Sequence, residues 1–364
     1  MTGIDWRTGR TVVAGWPPGG SPRVLAGHLT YRGETVRLGT ADHPEATDRV
    51  VAGSVAMANL RQGVTWAAEH YFGLLAGALP AGGGPVVVAV PAWLADDDTA
   101  VRYLHDLLVG TLRLPVDRVV GTPIAAAAYA YAVGALPPDA DAVVVCDVDE
   151  TGAMLTVLGL TVLGAGGARM GSRPAVGVPL QAGNPDRDRL LGKAVAAAAL
   201  AAGLRRQPLH LITLGLPEGE AAVAAAAEAR HRASVTPVAL PEPLPAAALG
   251  AAAIAAGRVT VDDVCPYEVA LAVHEVAHGL LANRWERLDA DRPVEVEAGP
   301  GTTVLRVRLT ANGHPPYETE LAPALPAGTY RAEAVSDSGG LAVLFHQPGA
   351  SALRVPVHLG KAAS

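Results

Sequence analysis

Cysteine is scarce in this chain. Only two occur among 364 residues, Cys146 within an apolar run and Cys265 beside a proline, which excludes a disulfide framework and leaves both as reduced packing residues. Basic residues are also few: 28 Lys and Arg stand against 35 Asp and Glu, for a formal charge of -7. No stretch gathers enough of them to track a phosphate backbone, so nucleic acid is not an expected partner. Long hydrophobic runs are missing as well. The opening "MTGIDWRTGRTVVAGW" has no run of signal-peptide type, and the apolar segments elsewhere are Ala-rich or short and bounded by Pro, Gly or charge. The expectation is a cytoplasmic protein without a membrane span. What is present is apolar residue in bulk, 50% of the chain, enough for two domains with a core each.

The first 263 residues alternate strand-like and helix-like pieces. "GPVVVAVPAW" reads as a buried strand, because an unbroken β-branched run between Gly and Pro suits a sheet covered on both faces. "DDTAVRYLHDLLVGTL" places Val101, Leu104, Leu107 and Leu108 on one helical face behind an acidic start. A strand "DRVVGTP", an Ala-rich helix "IAAAAYAYAVGAL" and a buried strand "DAVVVCDV" follow, which makes this part α/β. Ala-rich helix then runs from Asn184 to Arg232 around the strand "LHLITLGL", and a Pro-rich connection leads into a small-residue helix. "GAGGARMGS", Gly164 to Ser172, reads as a loop. After Asp263 the texture changes to alternating segments separated by Gly, Pro and Asn, predicting a β-sandwich or small barrel over 264–364.

Four segments, in order, resemble the nucleotide-binding domain of DnaK-type heat-shock chaperones, members of the actin-like ATPase superfamily. "GIDWRTGRT" looks like that family's first phosphate loop, and "VVVAVPAWLADDDTAVRYLHDLLVGTLRLPVDRVVGTPIAAAAYAYAVG" like its Val-Pro-Ala-Tyr strand, helix and Glu-Pro-Thr segment. "VVVCDVDETGAMLTVL" is similar to its second phosphate strand, and "LPAAALGAAAIAAG" to its Ala-Leu-Gly-Ala-Ala helix. The resemblance implies an actin-like ATPase (ribonuclease H-like) fold, truncated, over 1–263, with a partner- or substrate-binding β-domain behind it. It carries Asp5, Thr8, Asp147, Gly152 and Gly215 over as nucleotide-binding positions, with ATP and magnesium as the cofactors of such a site.

The departures from the pattern are physical. A phosphate needs N–H groups presented by a tight turn, and glycine lets the backbone come close. Here Arg7 stands for a glycine in the first loop, and Asp149 and Glu150 stand for glycines in the second. Thr122 takes the place of the family's glutamate, Met154 that of its second aspartate, and Leu214 precedes Gly215 where the family has a glycine pair. About sixty residues replace a much larger insertion before Gly215, which predicts an open or shallow cleft. The expected protein is therefore a degenerate DnaK-like chain, a scaffold or chaperone with weak or no ATP binding, whose β-domain takes a protein or peptide by strand addition. A working ATP-dependent chaperone is one alternative.

The other alternative comes from "VHEVAHGLL". On a helix, His274 and His278 fall one turn apart and could hold Zn²⁺ while Glu275 polarises its water, the core of a zinc protease. Val269, Val273, Val276 and Leu280 make an acceptable helical stripe. No third ligand follows at the usual spacing, since Leu281 and Arg284 hold those places. "YEVALAV" alternates with period two, and on a strand Glu275 points away from His274. Ser172, Ser234 and Ser351 lack the strand-turn-helix setting of a nucleophile.

Overall fold

The computed structural model of the chain describes residues 1–39, 45–77, 79, 84–137, 139–140, 142–149, 152–163, 167–172, 175–180, 184–202, 204–216, 219–261, 268–273, 276–282, 294–299, 303–310, 317–337 and 340–356. They form two compact units, Met1–Val261 and Asp262–Ser364.

In the first unit, β1 (Thr2–Trp6), β2 (Arg10–Gly15) and β3 (Arg23–Ala26) form an antiparallel run. A small sheet of β4 (His28–Arg32), β5 (Thr35–Leu38) and β6 (Arg49–Ala52) follows, then helices α1 (Gly53–Leu60) and α2 (Trp66–Ala76). The chain returns to the main sheet as β7 (Val86–Val90), passes through α3 (Ala92–Ala95), α4 (Asp98–Asp106) and a π-helical turn (Leu107–Thr111), and adds β8 (Val116–Gly121). The sheet order is β3-β2-β1-β7-β8, with β1, β7 and β8 parallel. Helix α5 (Thr122–Ala132) leaves its edge, started by Pro123 in the first turn, where the missing N–H costs nothing.

The same plan then repeats. β9 (Ala142–Val148), β10 (Gly152–Leu163) and β11 (Gly167–Ser172) are antiparallel, β12 (Val176–Pro179) pairs with β10, and α6 (Arg187–Ala201) leads to β13 (Leu209–Leu214). Helix α7 (Glu220–His231), β14 (Val235–Pro237), α8 (Ala246–Ala255) and β15 (Thr260–Val261) complete the unit. The order β14-β13-β9-β10-β11-β15 again puts the first strand between an antiparallel second and a parallel later one. The Gly-rich stretch expected as a loop is thus strand over 167–172, where Met170 is fully buried and the backbone pairs with β10. The first three residues of that stretch, 164–166, lie outside the described residues.

Helices α5 and α8 sit between the two sheets. One core joins Val12, Val87 and Ala89 of the first sheet, the alanines of both helices, and Val143, Val145 and Ile212 of the second. Helices α1, α2 and α4 cover the outer face of the first sheet, while α6 and α7 cover that of the second. Alanine and glycine make this thin middle layer possible. A side chain at Gly250 would meet the Ala125 carbonyl oxygen at 1.6 Å, and one at Gly3 would meet that of Ala248 at 1.9 Å. The mean layer spacing is therefore set by backbone contact, as close-packed interiors require.

The second unit is all β among its described residues. β16 (Glu268–Val273), β17 (Val276–Ala282), β18 (Val294–Ala298), β19 (Thr303–Thr310), β20 (Tyr317–Leu325), β21 (Gly328–Asp337), β22 (Gly340–His346) and β23 (Leu353–Pro356) form two four-stranded sheets, β17-β16-β19-β20 and β18-β21-β22-β23. Val269, Leu271 and Val307 from one sheet and Val296, Ala332 and Phe345 from the other share one core. The period-two pattern of the sequence accounts for this directly, because alternate residues reach the same face.

Candidate functional site: an arginine between two strand-end carboxylates

Asp5 and Asp147 hold equivalent places in the two repeats. Each is the penultimate residue of the central strand, β1 or β9, just before the hairpin turn into the antiparallel neighbour. Each lies on the face of its sheet that points to the middle layer, since Ile4 and Trp6 pack outward while Val143 and Val145 pack inward with Asp147 in phase. Both carboxylates are buried, Asp5 completely.

Arg7 lies between them. Its Nε donates to Asp5 Oδ2 at 2.8 Å and its Nη1 to Asp147 Oδ1 at 2.7 Å, with the side chain 12% exposed. Thr122, fully buried at the start of α5, donates its hydroxyl to Asp5 Oδ1 at 3.2 Å. One guanidinium thus engages two carboxylates from two sheets, the planar fork serving both at short range. Burial would lower the pKa of the Arg7 guanidinium, but the charges of Asp5 and Asp147 and the bonds they accept outweigh it, and the direction is up. Burial pushes the Asp147 carboxyl up, Asp5 and Asp149 add to that push, and Arg7 pulls against it. The 2.7 Å bond favours the ionised pair over a neutral acid beside a cation. Arg10, at the start of β2, has its pKa lowered by burial and by the Arg7 charge. Its Nε is buried without a hydrogen-bond partner among the described residues.

The two hairpin turns are closed by the same kind of backbone bond and differ in side chains. In the first, Arg7 N–H donates to Arg10 O at 2.9 Å; in the second, Asp149 N–H donates to Gly152 O at 2.9 Å. Arg7 and Asp149 are both two residues past the carboxylate. Arg7 reaches across to the other sheet, whereas Asp149 Oδ1 accepts from Gly152 N–H at 3.1 Å and closes its own turn. Glycines support the first turn from below. A side chain on Gly53 would meet the carbonyl oxygens of Gly27 at 2.5 Å and Thr8 at 2.8 Å.

Of the positions singled out in the sequence, Asp5 and Asp147 come together through Arg7, and Thr122 joins them. Thr8 lies in the first turn with its carbonyl against Gly53. Gly152 belongs to the second turn and approaches the Val178 carbonyl of β12. Gly215 follows β13 with φ +78° and lies against the Val148 carbonyl, so its requirement is a backbone one. Glu150 lies outside the described residues. Arg7 appeared in the sequence only as a missing glycine. The signal that could have found its role is the repeat itself: Asp-Trp-Arg at 5–7 and Asp-Val-Asp at 147–149 offer one cation to three carboxylates.

The zinc reading needs a helix, and the described residues on either side of His274 and Glu275 are strands. β16 and β17 pair antiparallel with Val273 opposite Val276, and His278 belongs to β17. His274 and Glu275 lie outside the described residues. A β-branched, alternating segment gains more from a shared sheet core than from a helix, which is the physical reason that Glu268–Val273 and Val276–Ala282 are strands. Among the described residues no group of three His, Cys, Asp or Glu could hold a metal ion. Cys146 is buried in β9, and burial pushes its thiol up to about 12. Among the described residues no helix is long and apolar enough to cross a membrane.

No family model and no curated protein matches the chain. Among solved structures it is similar to Ta0583, an archaeal actin homolog, at 13% identity and TM-score 0.44, over 70% of this chain and 99% of that one. A second structure of Ta0583 gives 16% identity and TM-score 0.42, over 71% and 99%. A non-polymerising MamK mutant bound to AMPPNP gives 14% identity and TM-score 0.45, over 70% of this chain and 98% of that one.

Proposed function

We propose that the unit Met1–Val261 is a degenerate nucleotide-binding fold of the actin-like kind whose phosphate position is taken by an arginine, and that the protein is a non-catalytic scaffold. Its C-terminal unit, read as a β-sandwich, binds another protein or a peptide. The observation that carries this reading is the Arg7 guanidinium bonded to both Asp5 and Asp147. Support for the fold comes from the doubled strand order, with one carboxylate ending the central strand of each repeat.

The residues present do not fit a magnesium-bound nucleotide. A cation would need Asp5 and Asp147 free, and Arg7 engages both. A phosphate would need amides offered by a glycine turn. The Arg7 amide instead bonds within the first turn and the Asp149 and Gly152 amides within the second, and Asp149 adds a negative charge there. Partner binding is assigned to the second unit because its two sheets end in the edge strands β17, β20, β18 and β23, and an extended segment can add to such an edge.

Titration of the wild-type protein with Mg-ATP by calorimetry tests the reading. The expected result is no binding heat up to millimolar nucleotide. Micromolar binding that Asp147→Asn abolishes would show a working site and overturn it.

A further inference from the structure

The two halves of the first unit are tied at separate places. Helices α5 and α8 pack through Gly250 on Ala125 in the middle layer. Away from it, side-chain hydrogen bonds that cross from one half to the other include Arg7 to Asp147 at 2.7 Å, Arg118 Nη1 to the Val261 carbonyl at 3.0 Å, and Ala175 N–H to Asp96 Oδ2 at 2.7 Å. The last two use a backbone group and lie toward the sheet edges. Among these, the Arg7 bond joins two charged, largely buried side chains, and it does so at the ends of both central strands.

We propose that Arg7 is a built-in ionic latch, an internal ligand that fixes the two halves in one relative arrangement without any bound molecule. A buried ion pair of this kind contributes little net stability, because desolvation offsets attraction, but it penalises every arrangement that parts the charges. Opening the halves would strand Asp147 without its cation in a buried site. The shared anchor on Asp5, held in turn by the Thr122 hydroxyl, keeps the guanidinium on its own half and aimed at the other. The resulting platform is held at the strand ends as well as through α5 and α8. This deepens the scaffold reading and rests on it in one respect, that no nucleotide sits at the junction.

Hydrogen–deuterium exchange of the whole protein, without nucleotide, tests the latch in Arg7→Met and in the triple variant Asp5→Asn, Arg7→Met, Asp147→Asn. The triple variant removes the buried charge altogether, so it separates the tie from the burden of unpaired carboxylates. In both variants, amides at the ends of β1 and β9 and in their turns should exchange about tenfold faster or more, while those in β7 and β13 keep their protection. Unchanged exchange in Arg7→Met would overturn the latch. So would a triple variant with wild-type protection, since charge balance alone would then explain Arg7, or a rise spread evenly over both halves. If Arg7→Met does not fold, the triple variant decides. The calorimetric titration is read separately, so failure of the latch and failure of the nucleotide reading are distinguishable.

Discussion

The two halves of the N-terminal unit share a strand order, a central strand ending in a buried aspartate, and a hairpin turn closed by the same N–H to carbonyl bond at 2.9 Å. Among the differences at the turns, one bears directly on the junction. Two residues after the aspartate stands Arg7 in the first half and Asp149 in the second. The arginine is long enough to leave its turn and satisfy the carboxylate of the opposite sheet, while the aspartate folds back on its own turn. A repeated backbone thus supplies places, and single side chains decide what happens there. The difference also makes the halves electrostatically complementary, which two identical turns could not be.

The most drastic way to break the comparison is to push the halves apart. Gly250→Val puts a branched side chain where even a Cβ would lie 1.6 Å from the Ala125 carbonyl, with helix backbone on both sides unable to give way. The expected loss is about 3 kcal/mol or more in chemical denaturation, at the upper end of overpacking costs. Gly159→Ala, with open space around the glycine, should change stability by less than about 0.5 kcal/mol. Equal effects at the two positions would mean that the middle layer is not held at backbone contact.

A smaller effect sharpens the comparison at the diverging position itself. Arg7→Met removes the partner of two buried carboxylates and should cost about 3 kcal/mol. Asp149→Ala, at the equivalent place, loses one turn-closing bond on an exposed residue and should cost about 1 kcal/mol or less. Denaturant midpoints of the two variants compare them directly, and similar losses would remove the asymmetry argued above.

Much of this architecture was legible in the sequence, because it rests on local signals. The β-branched runs of β7 and β9, the Ala-rich helices and the period-two texture of β18 to β23 each declare their element through burial pattern and propensity. β11 was not legible: glycines at 167 and 171 read as a loop, and only pairing with β10, with Met170 turned into the core, makes the segment a strand. The site was half legible. Asp5 and Asp147 stand out at strand ends, but the bond between Arg7 and Asp147 spans 140 positions and exists only because two sheets face one middle layer. A residue that fails to match a glycine pattern carries no sign of what it does instead.

The smallest expected effect concerns the contact between Asp96, at the end of α3 in the first half, and the Ala175 N–H of the second. Burial pushes the Asp96 carboxyl up to about 6 from 3.8, against the downward pull of that hydrogen bond. The folded state therefore holds this proton more tightly than the unfolded chain does. The stability it contributes is complete below the ordinary value and is lost as pH rises through about 6. Asp96→Asn keeps an oxygen to accept from Ala175 but has no proton to lose. Its stability relative to wild type should rise between pH 4.5 and pH 7.5, modestly, because Asp96 retains solvent-exposed surface. Denaturation midpoints of both proteins at these pH values isolate the group, since every other carboxylate titrates alike in the two. Parallel curves would mean that water reaches the carboxylate freely, and the contact between the halves at α3 would then be an ordinary surface hydrogen bond, unlike the tie that Arg7 makes to Asp147.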